Sequence, residues 1–404
     1  MKKFDVAIIG GGASGIAAAI ELKLNSPDLS VAIIEKNEEL GRKIRATGSG
    51  RCNITNTAAE GYDEIMQFFR KLGLMTKTLE NGLVYPYSES AADVVELLTS
   101  KLYELGVEVV VNAALTELEK TDYGFAIRCG KREFAADKVV LALGGKAGPN
   151  YGTTGDGYAI ARSLGHSVVT PIPVLTSIEC AEWDDALGRR GVKLAGTRSR
   201  GVAKLLRNGE PVIEEAGEIQ FTKYGLSGIC VFNLSRYMRY SRAAGESLGQ
   251  FAVKLDLYAD GNIYDYLIER RNGLFSGEHV SGLLKSVLKE NVADYVLQTA
   301  DRRIGRKSSI LDRPIATLTD ADIEVIADCV HKLEFHPTAV KGWKEAQATS
   351  GGVSLEEINQ DTCESLICEG LYVTGELLDY DGPCGGYNLS NAWLTGIKAG
   401  RSLA

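Results

Sequence analysis

Three glycines, Gly10, Gly12 and Gly15, stand in the spacing G-x-G-x-x-G, and an acid, Glu35, follows them. Residues of these types at these distances hold a dinucleotide. Gly10 permits a tight turn, Gly12 lets a pyrophosphate approach the backbone, and Gly15 lets a helix pack against a strand. Ala13 and Ser14 fall where that helix opens and offers N–H groups and positive dipole to phosphate. Glu35 lies about twenty residues past the last glycine, the place of an acid that accepts from a ribose diol. An acid rather than a base at 35 suits the unphosphorylated ribose of FAD or NAD, and Lys36 next to it is a further cofactor-binding candidate.

Other stretches carry chemistry of the same kind. Residues 41 to 56 are polar, basic and glycine-rich. Arg42, Lys43, Arg45 and Arg51 would crowd positive charge beside a pyrophosphate, Gly48 and Gly50 allow close backbone approach, and Thr47 and Asn53 supply short hydrogen-bonding groups. Cys52 reads as a packing residue first and a flavin-side thiol second. It stands alone where disulfide reductases carry two cysteines, so a dithiol mechanism has no support here. Gly144 and Gly145 end a later apolar run. Asp156 fits either a helix cap or a cofactor contact. Near the C-terminus, Gly375 and Glu376 repeat the strand–glycine–acid order. Gly386, Tyr387, Asn388 and Leu389 then open a helix whose positive end would face the negative edge of a reduced flavin. Tyr387 and His336 are the candidates for acid–base work, although His336-Pro337 also reads as a hinge.

The elements that must position these residues read in order. Residues 4 to 9, 31 to 34, 107 to 111 and 138 to 143 are short apolar runs of buried parallel strands, and Val110 falls at the adenine end. Residues 113 to 135 alternate as a small antiparallel meander. Helices are expected over 13–24, 61–80, 90–105 and 158–164. From Pro171 the texture changes. The segments 192–194, 202–206 and 251–257 resemble a small β domain, and 279–288 and 321–331 read as helices. The last seventy or so residues return to the texture of the first domain. The fold class is therefore α/β: a discontinuous Rossmann-like FAD-binding domain (1–174 and 336–404) with an inserted β-barrel-like domain (175–262) and a helical region (263–335).

Composition bounds the partners. The chain has 404 residues, 45% hydrophobic and 24% charged, with a net charge of −8, which gives nucleic acid no overall electrostatic attraction. No apolar run reaches bilayer length, and the first strand begins too early for a signal peptide. Eight mostly isolated cysteines and four histidines without ligand spacing point to reduced thiols, a cytoplasmic setting and no structural metal.

The whole chain resembles the bacterial FAD-binding oxidoreductases that include the aminoacetone oxidases and BaiN-type flavoproteins, distantly similar to fumarate-reductase flavoprotein subunits. The carriers are GGGASG at 10–15, GRKIRATGSGRCNITN at 41–56, ALGG at 142–145 and TGDGYA at 154–159, with FTKYGLSG at 221–228, ATSGGV at 348–353 and GELLDYDGPCGGYNLSNAW at 375–393. Ile229 follows the Ser-Gly of the 221–228 motif where relatives often have proline. The resemblance implies FAD as cofactor and hydride transfer with a small organic substrate, such as an amine, or with NAD(P)H, oxygen being one acceptor. No second dinucleotide fingerprint is present, so NAD(P)H is expected only as a transient donor. Two other readings stand beside this one: a flavin-dependent nucleic-acid-modifying enzyme and a non-catalytic flavin-binding redox sensor.

Overall fold

The computed structural model describes residues 1–183 and 194–404, in two compact units: Met1–Pro173 with Trp343–Ala404, and Val174–Gly342. No helix among the described residues is long and apolar enough to cross a membrane.

The first unit is built on strands β1 (Lys2–Ile9), β2 (Val31–Ile34), β3 (Glu108–Val110), β4 (Glu117–Thr121), β5 (Gly124–Cys129) and β6 (Arg132–Leu141). They lie in the order β3-β2-β1-β6-β5-β4. β1 runs parallel to both β2 and β6, with Ile9 beside Ile34 on one side and Leu141 on the other. This register carries both apolar neighbours of β1 to the level of the glycine turn. β6 is a single strand where the sequence suggests two. Its first half pairs antiparallel with β5, and its second half pairs parallel with the strand Leu371–Val373.

Helices α1 (Ala13–Asn25), α2 (Arg42–Ala46), α3 (Tyr62–Lys71), α4 (Ala91–Glu104) and α5 (Asp156–Ser163) belong to this unit, as does the C-terminal helix Tyr387–Leu403. Ser90 caps α4 by accepting from the Asp93 N–H. The helix expected over 61–80 ends at Lys71, and residues 76–78 form a strand that pairs with 84–86. Gly155, not Asp156, occupies the N-cap of α5, so the capping role is corrected.

Two glycines dock the C-terminal helix on α1. A Cβ on Gly396 would lie 2.3 Å from the Ser14 carbonyl, and one on Gly400 would lie 2.6 Å from that of Ala18. Both contacts advance in the same direction, so the helices are parallel and their positive ends point the same way. At 1.5 Å per residue the C-terminal helix begins about 12 Å further out than α1. Trp393, fully buried, anchors it by donating to the Ile54 carbonyl at 3.1 Å.

The second unit holds β7 (Ile178–Cys180), β8 (Arg198–Arg207), β9 (Glu210–Phe221), β10 (Gly225–Ser227), β11 (Phe251–Asp256), β12 (Leu333–Phe335) and β13 (Pro337–Val340). The order is β12-β11-β8-β9-β10-β7-β13. His336 alone separates the two edge strands, and adjacent Cα atoms are 3.8 Å apart, so the sheet curls until its edges adjoin. Helices α6 (Ile229–Tyr237), α7 (Ile263–Asn272), α8 (Glu290–Ile304) and α9 (Asp320–His331) also belong to the unit, with a short helix Arg239–Ala243 after α6. Ile229 is the first residue of α6, the position at which proline is also favoured.

Three expectations differ from this picture. Residues 279–288 form a short 3-10 turn at Val280–Gly282 and no α-helix. The helical region is not separate from the β region, because one apolar core runs from Ile178 through α7–α9 to Phe335. The chain leaves the insertion at Gly342, since β13 still pairs with β7. The strand expected at 192–194 lies, but for Leu194, outside the described residues.

Candidate cofactor and active site

The first unit contains a cleft with about 1360 Å³ of non-atom space, its mouth included. Its walls are the β1–α1 turn, Glu35 to Asn37, α2 with Thr47, Ala113 to Leu115, Gly152 to Asp156 in part, and the segment from Glu376 to Ala392 in part.

The three fingerprint glycines have distinct work. Gly10 has φ +113°, and its Cβ would lie 2.3 Å from the Ala142 carbonyl oxygen; a Cβ on Gly15 would lie 2.0 Å from that of Gly10. Those two serve the fold. Gly12 has an ordinary φ of −86°, and a Cβ there would meet nothing within 4 Å. It lines the cleft as the N-cap of α1, which no side chain caps and whose first turn holds no acid. The N-terminus of the C-terminal helix is likewise uncapped by any side chain and free of acid. Two positive helix ends thus stand along one cleft, each fit for an anionic group.

Glu35 is 8% exposed. One carboxylate oxygen accepts from the Gly11 N–H at 2.8 Å, the other from the Asn37 N–H at 2.8 Å and the Asn37 amide at 2.6 Å. A carboxylate offers about four lone-pair sites, so it retains capacity for a ribose hydroxyl.

The basic groups do not form a bare positive patch as expected. Lys36 bonds Asp156 at 2.5 Å and Thr154 at 2.7 Å. Burial acts to raise the Asp156 carboxyl, but those two partners outweigh it and hold the group below the usual carboxylate range. Lys43 bonds Glu376 at 2.5 Å, and Glu376 also accepts from the Thr349 N–H at 2.8 Å. Arg42 donates to the Asn37 side-chain amide oxygen Oδ1 at 2.8 Å.

Of the expected site residues, Gly10, Gly12, Ala13, Ser14, Glu35, Lys36, Arg42, Lys43, Thr47, Gly144, Asp156, Glu376, Asn388 and Leu389 line the cleft together. The others stand behind it. Val110 supplies the carbonyl that holds the Glu35 N–H at 2.9 Å. A Cβ on Gly145 would lie 2.4 Å from the Thr349 hydroxyl, on Gly375 2.7 Å from that of Ser14, and on Gly386 2.8 Å from the Thr55 carbonyl carbon. Gly48 and Gly50 shape a left-handed turn. Arg51 lies over the Tyr85 ring at 4.8 Å.

Cys52 sits in the apolar core, and burial pushes its thiol up to about 12, so it is a packing residue. With its amide oriented to satisfy both neighbours, Asn53 donates to the Thr55 carbonyl at 3.1 Å and accepts from the Gly386 N–H at 3.0 Å. Tyr387 packs against Gly382. His336 belongs to the second unit, where Glu182 at 2.5 Å and Glu334 at 3.2 Å hold its ring. The hydrogen bond to Glu182 chiefly raises its pKa. Its ring links β12 to the residues after β7, and it does not line the cleft.

The sequence reading did not single out Asn37, Ala113 to Leu115, Tyr151, Gln347, Tyr380 or Asn391, all of which line the cleft. Tyr151, Gln347 and Tyr380 lie in or next to glycine-rich motifs, which is a usable signal. Ala113 to Leu115 carry none; they arrive because β3 pairs with β2.

The residues present fit FAD. Gly12 leaves room for a pyrophosphate, Glu35 stands at the ribose position, and the second helix end faces the outer part of the cleft. Fold and site define a Rossmann-type FAD-dependent oxidoreductase. The chain matches the family model described as HI0933-like protein Rossmann domain over residues 4–63 and 59–402, and it belongs to that family. It is 35% identical over 431 aligned positions to the 3-dehydro-bile acid delta(4,6)-reductase of Clostridium scindens, covering 99% of this chain and 98% of the relative. It is 26% identical to the ribosomal RNA dihydrouridine synthase of Haemophilus influenzae, covering 98% of each. Among solved structures, the 3-ketosteroid delta1-dehydrogenase of Sterolibacterium denitrificans shares the fold. That match has a TM-score of 0.50 and 13% identity, and covers 100% of this chain and 99% of the other.

Proposed function

We propose that the chain is a reductase that saturates a ring carbon–carbon double bond conjugated to a carbonyl in a small organic substrate. The observation that carries this reading is the 35% identity along nearly the full chain to a delta(4,6)-reductase of a 3-dehydro bile acid. A dihydrouridine is a uracil nucleoside with its ring double bond saturated, so the more distant relatives are named for the same kind of bond change on RNA. Charge favours the small molecule. The net charge is −8, and two of the four bases on β8 are paired across the strand, Arg198 with Glu218 at 3.2 Å and Lys204 with Glu214 at 2.8 Å. The eight free cysteines suit a reducing cytoplasm.

FAD, when bound, supplies hydride chemistry. The α1 N-terminus and Gly12 would hold its pyrophosphate, and Glu35 its adenosine ribose. The C-terminal helix would stabilise negative charge on the reduced ring through its N-terminal N–H groups. Thr349 and Lys43 fix the Glu376 carboxylate on the cleft wall. A reduced nicotinamide donor would bind transiently and with little choice between NADH and NADPH, because the chain carries one dinucleotide fingerprint.

The test begins with a visible spectrum and FAD content of the purified protein. The dithionite-reduced protein is then mixed, without oxygen, with a 3-oxo-4-ene steroid acid, a uridine-containing RNA fragment, or buffer. Return of the oxidised flavin spectrum with the enone alone is the expected result. Return with RNA alone would move the assignment to RNA modification. Bleaching of the oxidised protein by amines would move it to amine oxidation.

A further inference from the structure

Saturating a conjugated double bond takes one hydride and one proton, and the proton needs a donor at the substrate end of the cleft. The ionisable side chains of the cleft are not spread evenly. Arg42 and Lys36 are tied to Asn37 and Asp156, around Glu35. Tyr151 lies in the same neighbourhood, since a Cβ on the next residue, Gly152, would lie 2.7 Å from the Asn37 amide nitrogen. Lys43 and Glu376 are closed into an ion pair at 2.5 Å.

Tyr380 lines the cleft on the loop that precedes the C-terminal helix. That loop is held firmly: the Asn388 amide accepts from the Gly382 N–H at 2.8 Å and donates to the Gly382 carbonyl at 2.9 Å. Ser350 donates to Asp381 at 2.9 Å. A Cβ on Gly382 would lie 3.2 Å from the Tyr380 phenol oxygen, so the missing side chain there makes room for the phenol. Asn388 thus fixes the seat of Tyr380 beside the positive end of the helix.

We infer that Tyr380 is the acid that protonates the substrate, an assignment that rests on the reductase reading above. Reduced FAD, when bound, would supply the hydride with its electron pair to the substrate's β-carbon and would itself be oxidised. The π electrons move onto the carbonyl oxygen as an enolate. The enolate re-forms the carbonyl as the α-carbon takes the proton from the Tyr380 O–H, and water reprotonates the phenolate.

The experiment compares Tyr380→Phe with the wild type. FAD content and the enone dissociation constant, read from the perturbed spectrum of the oxidised flavin, are expected to stay within about twofold. Re-oxidation of the reduced protein by enone is expected to fall roughly 100-fold or more, the usual weight of a general acid. Re-oxidation at the wild-type rate, or loss of FAD from the variant, overturns the assignment while leaving the reductase reading intact. A wild type that no enone re-oxidises overturns the reading and the assignment together.

Discussion

Gly12 and Gly15 look equivalent in the sequence, yet a Cβ would meet open space at one and a carbonyl oxygen at 2.0 Å at the other. Gly12→Ala should leave the stability of FAD-free protein within about 0.5 kcal/mol of wild type and lower the flavin-to-protein ratio. Gly15→Ala should destabilise the FAD-free protein by about 2–3 kcal/mol through overpacking. Thermal melts and flavin absorbance separate the two, and an unchanged flavin ratio in Gly12→Ala would remove that residue from the site.

Cys52 makes a prediction with a defined sign. Burial raises its thiol from 9.0 to about 12, so the folded state keeps a proton that the unfolded chain loses. The stabilisation is present below pH 9 and is lost as pH rises from 9 to 12, at about 1.4 kcal/mol per pH unit. Cys52→Ala should show a shallower loss of stability between pH 9 and 10.5 in urea titrations, with unchanged FAD content.

At the scale of elements, the parallel docking of α1 and the C-terminal helix sets the length of the cleft. The loop at the second helix end depends on Asn388. Replacing it by leucine removes both bonds to Gly382, a loss of about 1–3 kcal/mol. Asn388→Leu should retain part of its FAD, react more slowly with enone and be cut faster by protease between residues 380 and 386. Proteolysis at the wild-type rate would show that the loop is held by other contacts. Elements marked by period and caps were legible: α4 starts at Ser90, and α9 carries a Thr319–Asp322 capping box. The stretch 279–288 has helical spacing of apolar residues but no such start. Its Val280, Leu283, Leu284 and Leu288 are buried as a compact turn in the core of the second unit. Burial alone does not distinguish the two outcomes.

At the scale of the molecule, the two units have separate apolar cores. Calorimetry should therefore resolve two transitions. Added FAD should raise the one belonging to residues 1–173 and 343–404, by about 2.7 kcal/mol at a hundred times its dissociation constant. A single transition that moves as a whole would show that the units unfold together. The sequence by itself determined the dinucleotide turn, the acid at 35 and the return of the chain to its first domain. Each is a local requirement: a glycine where a backbone must turn or approach closely, an acid at a strand end, an apolar run between turns. Tertiary structure alone decided which residues of the 41–56 stretch face the cleft. Arg42, Lys43 and Thr47 line it, while Cys52 and Asn53 stand behind it as support for the C-terminal helix. It also brought Tyr380 and Ala113 to Leu115 to the cleft. Both outcomes depend on strand pairing and helix docking between residues far apart in the chain, and no local pattern records them.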